Sequence, residues 1–498
     1  MSDQPASVQT KTRANGRHRG PALLVAGAFF MENLDATIIA TAAPGIAASF
    51  GTGAEAVGAA MTAYLTALAA FIPVSGWAAD RWGGRRVFAW AVAVFTIASA
   101  LCAAADSLTE LVVTRVAQGV GGAMMVPVGR LTVLRTTPRR DLLRAIAWLT
   151  WPGLLAPVLA PVLGGLFATY ASWRWIFLVN VPLGVAALPA ALRLIPDGRR
   201  EADEGRPVLD RTGFVLTSAG AGALLVGVEL LGDLARHRAS AAVWLGLGLL
   251  TCGLAVRHLL RSRRPLLDLT AFRVDTFRVA NAGGAVFRAA ISAVPFLLPL
   301  MFQQAWGWSA ARAGLVLTAV FAGNIAVKPF TTPLLRRFGF RTVLVVNGMA
   351  TASTFVLCGL VVSRTPLAVL VAVLFVSGVC RSVSLSAYSS ICFADLGPER
   401  TANANTLSSS VHQLAGGVGI ALAVWTLRAA GALTAQLGPT DPARPYGVAF
   451  GVLALLPLAC AWEASRLRQG AGAAVTAPVT RRSARAPVPR RRPGRWGL

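Results

Sequence analysis

Long apolar runs alternate with short breaks of charge, glycine and proline along almost the whole chain. Fourteen runs stand out, near 22–43, 57–78, 87–105, 111–133, 144–168, 175–195, 212–231, 241–259, 280–303, 312–330, 342–362, 367–391, 407–428 and 446–465. A helix crosses the hydrocarbon core of a bilayer in about 20 apolar residues. The pattern therefore predicts an all-α polytopic membrane protein of fourteen spans. An even number puts both termini on the same side.

Basic residues say which side. If the tails are cytoplasmic, the tails and inner loops hold 37 of the 47 Lys and Arg, and the outer face holds seven, namely Arg174, Arg236, Arg238, Arg312, Arg364, Arg428 and Arg444. The remaining three, Arg115, Arg288 and Arg381, fall within spans. Such a bias predicts an N-in, C-in topology. The order of the runs predicts a cytoplasmic N-tail 1–21 and a six-helix bundle 22–196. A linker region 197–275 follows, with two extra spans at 212–231 and 241–259, then a second six-helix bundle 276–466. The Ala/Pro/Arg-rich segment 467–498 lacks the apolar residues to bury a core and is expected to be a disordered basic cytoplasmic tail, attracted to anionic inner-leaflet lipid.

Composition narrows the classes further. Of 498 residues, 55% are hydrophobic and 14% charged, with a mean hydropathy of +0.61, which excludes a soluble enzyme. A net charge of +26 would suggest nucleic acid in a soluble chain; here it first reports orientation, and no nucleic-acid partner is expected. Only Lys11 and Lys328 are lysines, a bias ascribed to genome composition. The basic N-terminus followed by an apolar stretch imitates a cleaved signal, but that stretch is too long and carries Glu32 and Asp35, so it is expected to be a retained first span. Cys102, Cys252, Cys358, Cys380, Cys392 and Cys460 lie in or beside apolar runs without paired spacing and are expected to be buried thiols. There is no GxxxxGK[ST] and no HExxH, so neither ATP hydrolysis, a cofactor nor a metal is expected.

Several motifs carry chemistry. The loop after the second run reads Gly76-Trp77-Ala78-Ala79-Asp80-Arg81-Trp82-Gly83-Gly84-Arg85-Arg86. Tight turning needs its glycines and the inner face its arginines, but neither explains Asp80. It resembles the GxxxDRxGxRR signature of the major facilitator superfamily. A degenerate copy, Pro333 to Arg341, follows the tenth run with Arg336 in the place of Asp80, so the two loops are not equivalent. Arg115-Val116-Ala117-Gln118-Gly119-Val120-Gly121-Gly122-Ala123 is similar to the superfamily's RxxQGxGGA element. The segment from Ala156 to Gly165, with Pro157, Pro161, Gly164 and Gly165, resembles the antiporter signature GxxxGPxxGG, with alanine at two glycine positions. The stretch Trp173 to Gly184 looks like the 14-span drug:proton antiporter branch, the EmrB/QacA type. The resemblance runs through most of the chain. It implies the major facilitator fold and proton-coupled export of a drug or secondary metabolite from the cytoplasmic membrane.

The residues make a physical case of their own. Charges at the bilayer centre cost about 2.5–3.5 kcal/mol on insertion scales and so usually face a cavity or serve a function. Asp35 lies deep in the first span with Glu32 one turn before it, and two carboxylates on one desolvated face favour keeping a proton on at least one. They are candidates for proton coupling; the alternative is a plain hydrogen bond to a neighbouring span. Arg115, near the start of its run, either snorkels to the outer interface or, as the resemblance implies, takes part in proton relay. The run 153–165 either lets helices approach closely or controls leak, as the family assigns. Gln118, Arg288, Arg381 and Asn324 are candidate cavity residues. Arg288 and Arg381 would bind an anionic substrate, cap carbonyls or pair with Asp35. Relatives that export divalent cations carry an additional acid in the second bundle; Asn324 and Lys328 in the tenth run put that activity in doubt. His412 is expected at an interface, and Trp148, Trp151, Phe302, Trp306 and Trp308 as belt residues or walls of a drug pocket. The expected partners are a small hydrophobic or cationic substrate, protons and membrane lipid; no signal fixes an oligomeric state. An uptake symporter of the same fold, or a membrane sensor or scaffold, is the alternative.

Overall fold

A computed structural model describes residues 7–136, 142–195, 209–230, 234–262, 265–392, 394–395, 398–436 and 441–468. Among them there is no strand and there are sixteen α-helices: α1 (Ser7–Phe50), α2 (Gly58–Trp82), α3 (Gly84–Ala104), α4 (Leu108–Thr136), α5 (Leu142–Tyr170), α6 (Trp175–Leu178), α7 (Asn180–Leu194), α8 (Arg211–Leu230), α9 (Leu234–Arg261), α10 (Asp275–Leu300), α11 (Ala310–Ala326), α12 (Lys328–Leu360), α13 (Leu367–Ile391), α14 (Pro398–Ala435), α15 (Arg444–Leu453) and α16 (Leu455–Ser465). A lipid core offers backbone groups no water, and helices satisfy those groups within one segment. Twelve helices of the described residues are long and apolar enough to cross a membrane, and two shorter apolar stretches, Leu155–Tyr170 and Ala310–Ala326, accompany them. All fourteen apolar runs of the sequence are helical. The first helix extends back to Ser7, fifteen residues before the expected span. The tail 469–498, most of the linker loop 197–208 and the side chains of Trp148 and Trp151 lie outside the described residues.

Two glycines mark an internal repeat. Gly83 separates α2 from α3 at φ 87°, and Gly339 interrupts α12 at φ 73°. Each stands three residues after the position held by Asp80 in one loop and Arg336 in the other. The left-handed region penalises a side chain, so the degenerate second loop keeps its turn while losing its acid.

Packing divides the core unevenly between the two ends of the helix assembly. At one end a single apolar cluster joins early and late helices, including Ile39, Ile46 and Phe177 with Phe296, Leu300, Phe355 and Phe450. At the other end lie two separate clusters, one drawn only from residues 22–195 and one only from 259–467. The joined end is stitched by polar contacts: Ala311 N to Thr169 Oγ1 at 3.0 Å, Gln303 Nε2 to the Thr41 carbonyl at 3.0 Å, and Arg428 to Glu55 at 3.8 Å. Helices α8 and α9 pair with each other, and α8 also leans on α2 and α14. Asp210 ties this pair to the following loop by accepting from His258 Nε2 and Gly213 N at 2.8 Å and Leu266 N at 3.2 Å. Burial opposes its charge, but these hydrogen bonds outweigh burial and hold its carboxyl below the usual range.

Candidate functional site

Four helices bring five polar side chains to one point inside the early half. Asp35 comes from α1, Ser99 from α3, Arg115 and Gln118 from successive turns of α4, and Asn180 from the first position of α7; all five are fully buried. Residues three apart share a helix face, which is why Arg115 and Gln118 meet the same carboxylate. Arg115 Nη1 donates to Asp35 Oδ2 and, at 2.7 Å, to Gln118 Oε1. Gln118 Nε2 donates to Asp35 Oδ1 at 2.8 Å and Asn180 Nδ2 to the same oxygen at 3.0 Å. Ser99 Oγ accepts from both amides at 3.1 Å and donates to the Phe177 carbonyl at 3.1 Å. The guanidinium lies 4.1 Å from the centre of the buried Tyr64 ring, on α2, where a desolvated cation–π contact adds to the ion pair.

Desolvating an ion pair is costly unless every remaining lone pair and proton finds a partner. Asp35 is well served. Arg115 is not: Nε and Nη2 have no hydrogen-bond partner, nor do the Tyr64 hydroxyl and Asn180 Oδ1. Glu32, one turn before Asp35, is 9% exposed, and its Oε2 is likewise without one.

The structure corrects three expectations. Arg115 does not snorkel: α4 begins at Leu108, which sets Arg115 two turns deep, against Asp35. His412 is not interfacial, because α14 starts at Pro398; it is half-buried beside Gly284. Phe302 is no belt residue but a buried ring stacked on Trp306 and Trp308 at 5.0 and 5.1 Å. Sequence reasoning missed Asn180, Ser99 and Tyr64 as members of the centre. Asn180 was detectable as the lone amide in an apolar run; a serine or tyrosine in such a run gives no comparable signal.

The other motif residues lie elsewhere. Gly76, Arg81 and Arg86 are exposed at the α2–α3 turn, Asp80 and Arg85 are half-buried there, and Gly83 is buried. Pro157, Pro161, Gly164 and Gly165 lie on α5, pressed between α1 and α11. A Cβ at Gly164 would come within 2.7 Å of the Ile38 carbonyl oxygen, and one at Gly165 within 2.8 Å of Ala311 Cα. Close backbone approach therefore explains these glycines. Arg381 Nη1 caps the Ile291 carbonyl at 3.1 Å. No hydrogen bond or ion pair joins the side chain of Arg288 or of Asn324 to any described residue, and Lys328 Nζ contacts Ser386 Oγ at 3.1 Å.

Repeated helical halves, a core continuous at only one end, and a buried charge centre define a polytopic membrane protein of the secondary-transporter class. The chain belongs to the Major Facilitator Superfamily, whose family model matches residues 25–266 and 280–493. It is 35% identical over 405 residues to the "Putative multidrug resistance protein MdtD" of Serratia proteamaculans (strain 568), covering 80% of this chain and 83% of that one. It is 34% identical over 416 residues to the "Probable transport protein HsrA" of Haemophilus influenzae (strain ATCC 51907 / DSM 11121 / KW20 / Rd), covering 82% and 88%. In fold it resembles the inward-facing, unoccupied crystal structure of a bacterial homologue of the human lysosomal transporter Spinster, with a TM-score of 0.63 at 16% identity over 90% of this chain and 97% of that one.

Proposed function

We propose that this transporter exports a hydrophobic or amphiphilic compound across the cytoplasmic membrane in exchange for protons. The observation that carries the reading is the fully buried Asp35–Arg115 pair, with Gln118, Asn180 and Ser99 around it and Glu32 beside it. Protonating Asp35 removes the charge that Arg115 balances, frees the guanidinium and makes the two states of the centre differ in their helix contacts. Glu32, with an unpartnered carboxylate oxygen, passes the proton on. The names of the MdtD relatives support efflux of drugs.

In this reading the fourteen apolar helices are fourteen spans, both tails are cytoplasmic, and residues 22–196 rock against 276–466 about the centre, with 197–275 supplying the two additional spans. The α5 glycines and prolines act where the two bundles meet.

The test is substrate-driven proton movement in everted vesicles with an imposed ΔpH, over a panel of dyes and antibiotics of both charges. Wild type is expected to couple substrate to protons, and Asp35→Asn, at matched protein level, to lose coupling entirely. Asp35→Glu, which retains the charge, is expected to keep a reduced rate. Undiminished proton exchange by Asp35→Asn would remove Asp35 from the proton path. Net uptake of substrate along with protons would make the protein a symporter.

A further inference from the structure

The second half of the transporter is built with the opposite charge to the first. Between Asp275 and Asp395 the chain contains no acidic residue, yet Arg288 sits in the middle of α10 and Arg381 in the middle of α13. On the described helices of this half, past Asp275 and Glu399 in the first turns of α10 and α14, the one acid is Glu463, in the last turn of α16, where its carboxylate lies against Gly283. Neither acid buried in α1 compensates: Asp35 is saturated by Arg115, Gln118 and Asn180, and Glu32 Oε2 is buried without a partner.

Both arginines are left with capacity to spare. Arg381 spends one N–H on the Ile291 carbonyl, its Nε is buried with no partner, and its guanidinium lies 5.7 Å from the centre of the Phe321 ring. Arg288 is half-buried, and its guanidinium makes no hydrogen bond or ion pair to any described residue. Arg381 reaches the carbonyl of Ile291, three residues on from Arg288 along α10, and His412 lies against Gly284, one turn before Arg288, so the three groups gather on one stretch of that helix. One turn beyond Arg288, Ser292 approaches Gly416 of α14, which in turn approaches Leu65 of α2. This basic patch therefore faces the first half at mid-membrane depth. Two unpaired guanidinium groups in a low-dielectric site are a standing cost, and a planar acid group is the ligand that matches their fork geometry.

We propose that Arg288 and Arg381 form an anion-binding subsite, and that the transported compound is an amphiphile carrying a carboxylate or similar acidic group beside an apolar body. The acid takes the place of the missing counter-ion, and the body lies against apolar side chains such as Phe321 and Leu65. This rests on the transport reading above and deepens it. It also changes the charge balance: a monoanion leaving as one proton enters moves two positive charges inward, so transport responds to membrane potential. Exchange of a monocation for a proton moves none.

Binding tests the subsite without requiring any gradient. The purified full-length protein is titrated with 1-naphthaleneacetate, 1-naphthaleneacetamide and 1-naphthylethylammonium, which share one aromatic body, and with acetate. Wild type is expected to hold the carboxylate at least tenfold more tightly than the amide or the ammonium, and acetate alone far more weakly. Arg288→Gln/Arg381→Gln should bring carboxylate and amide within about twofold, whereas Arg288→Lys/Arg381→Lys should keep part of the preference; amide binding checks that each variant is folded. Equal binding of the three naphthalenes, a preference for the ammonium, or no binding of any would overturn the proposal. Acetate or inorganic phosphate competing as well as the naphthalene acid would overturn its amphiphile part. Failure of proton coupling appears separately, in the Asp35→Asn vesicle assay.

Discussion

The Asp35–Arg115 pair sets the energetics at the scale of single residues. Interhelical hydrogen bonds in membrane proteins average about 0.6 kcal/mol in double-mutant cycles. Breaking a fully buried ion pair from one side costs more, about 3–5 kcal/mol, because it strands the remaining charge. Arg115→Gln is therefore expected to lower the thermal unfolding midpoint in detergent sharply, and Arg115→Gln/Asp35→Asn to recover much of that loss. The expected coupling is about 2–4 kcal/mol. Additive effects of the two substitutions would mean the pair is not the unit that holds these helices. The two ends of this pair were legible in the sequence because charge in an apolar run is conspicuous. Their being partners was not, because eighty residues separate them and nothing in one chain reports that α1 faces α4. Arg115 looked interfacial only because the first turn of α4, Leu108 to Glu110, is not apolar enough to extend the run.

Helices were read well and their ends less well, for a related reason. A hydropathy run marks the part of a helix that lies in hydrocarbon, whereas hydrogen bonding continues beyond it, so α1 and α14 outrun their apolar stretches at the N-terminal end. The tenth and eleventh runs survive as α11 and the later part of α12, with the Gly339 break between the arms of the longer helix. Close approach at α5 is a property of helix pairs that sequence pattern alone left open between packing and gating. The geometry favours packing, since Gly165 lies against the α11 backbone where no Cβ fits. Gly165→Val is expected to force α5 and α11 apart at the joined end. A disulfide between Thr169→Cys and Ala311→Cys, whose parent residues are hydrogen-bonded, should form in high yield in the otherwise wild-type chain and drop severalfold with Gly165→Val. An unchanged yield would show that this contact does not set the separation of the two helices.

For the whole molecule, the decisive asymmetry is a core that is continuous at one end and split at the other. Apolar surface withdrawn between the two halves holds them together at the continuous end. The surface ion pair of Glu55 with Arg428 adds at most about 1 kcal/mol there, so packing, including Gly58 against Phe296, keeps that end shut. With the basic loops at the split end, the positive-inside rule predicts that this end is cytoplasmic and the conformation inward-open. Both halves of this statement are testable with single cysteines, in a background where half-buried Cys252 is replaced by serine and the five buried thiols are left in place. Ser172→Cys, in the α5–α6 turn at the closed end, should react with a membrane-impermeant maleimide in intact cells and not in everted vesicles. Ser292→Cys, at mid-depth beside the interface of the halves, should react only in everted vesicles, because the joined core bars it from outside. Reversal of both patterns would invert the topology. Labelling of Ser292→Cys from outside, with Ser172→Cys behaving as expected, would keep the topology and show that the resting transporter faces outward.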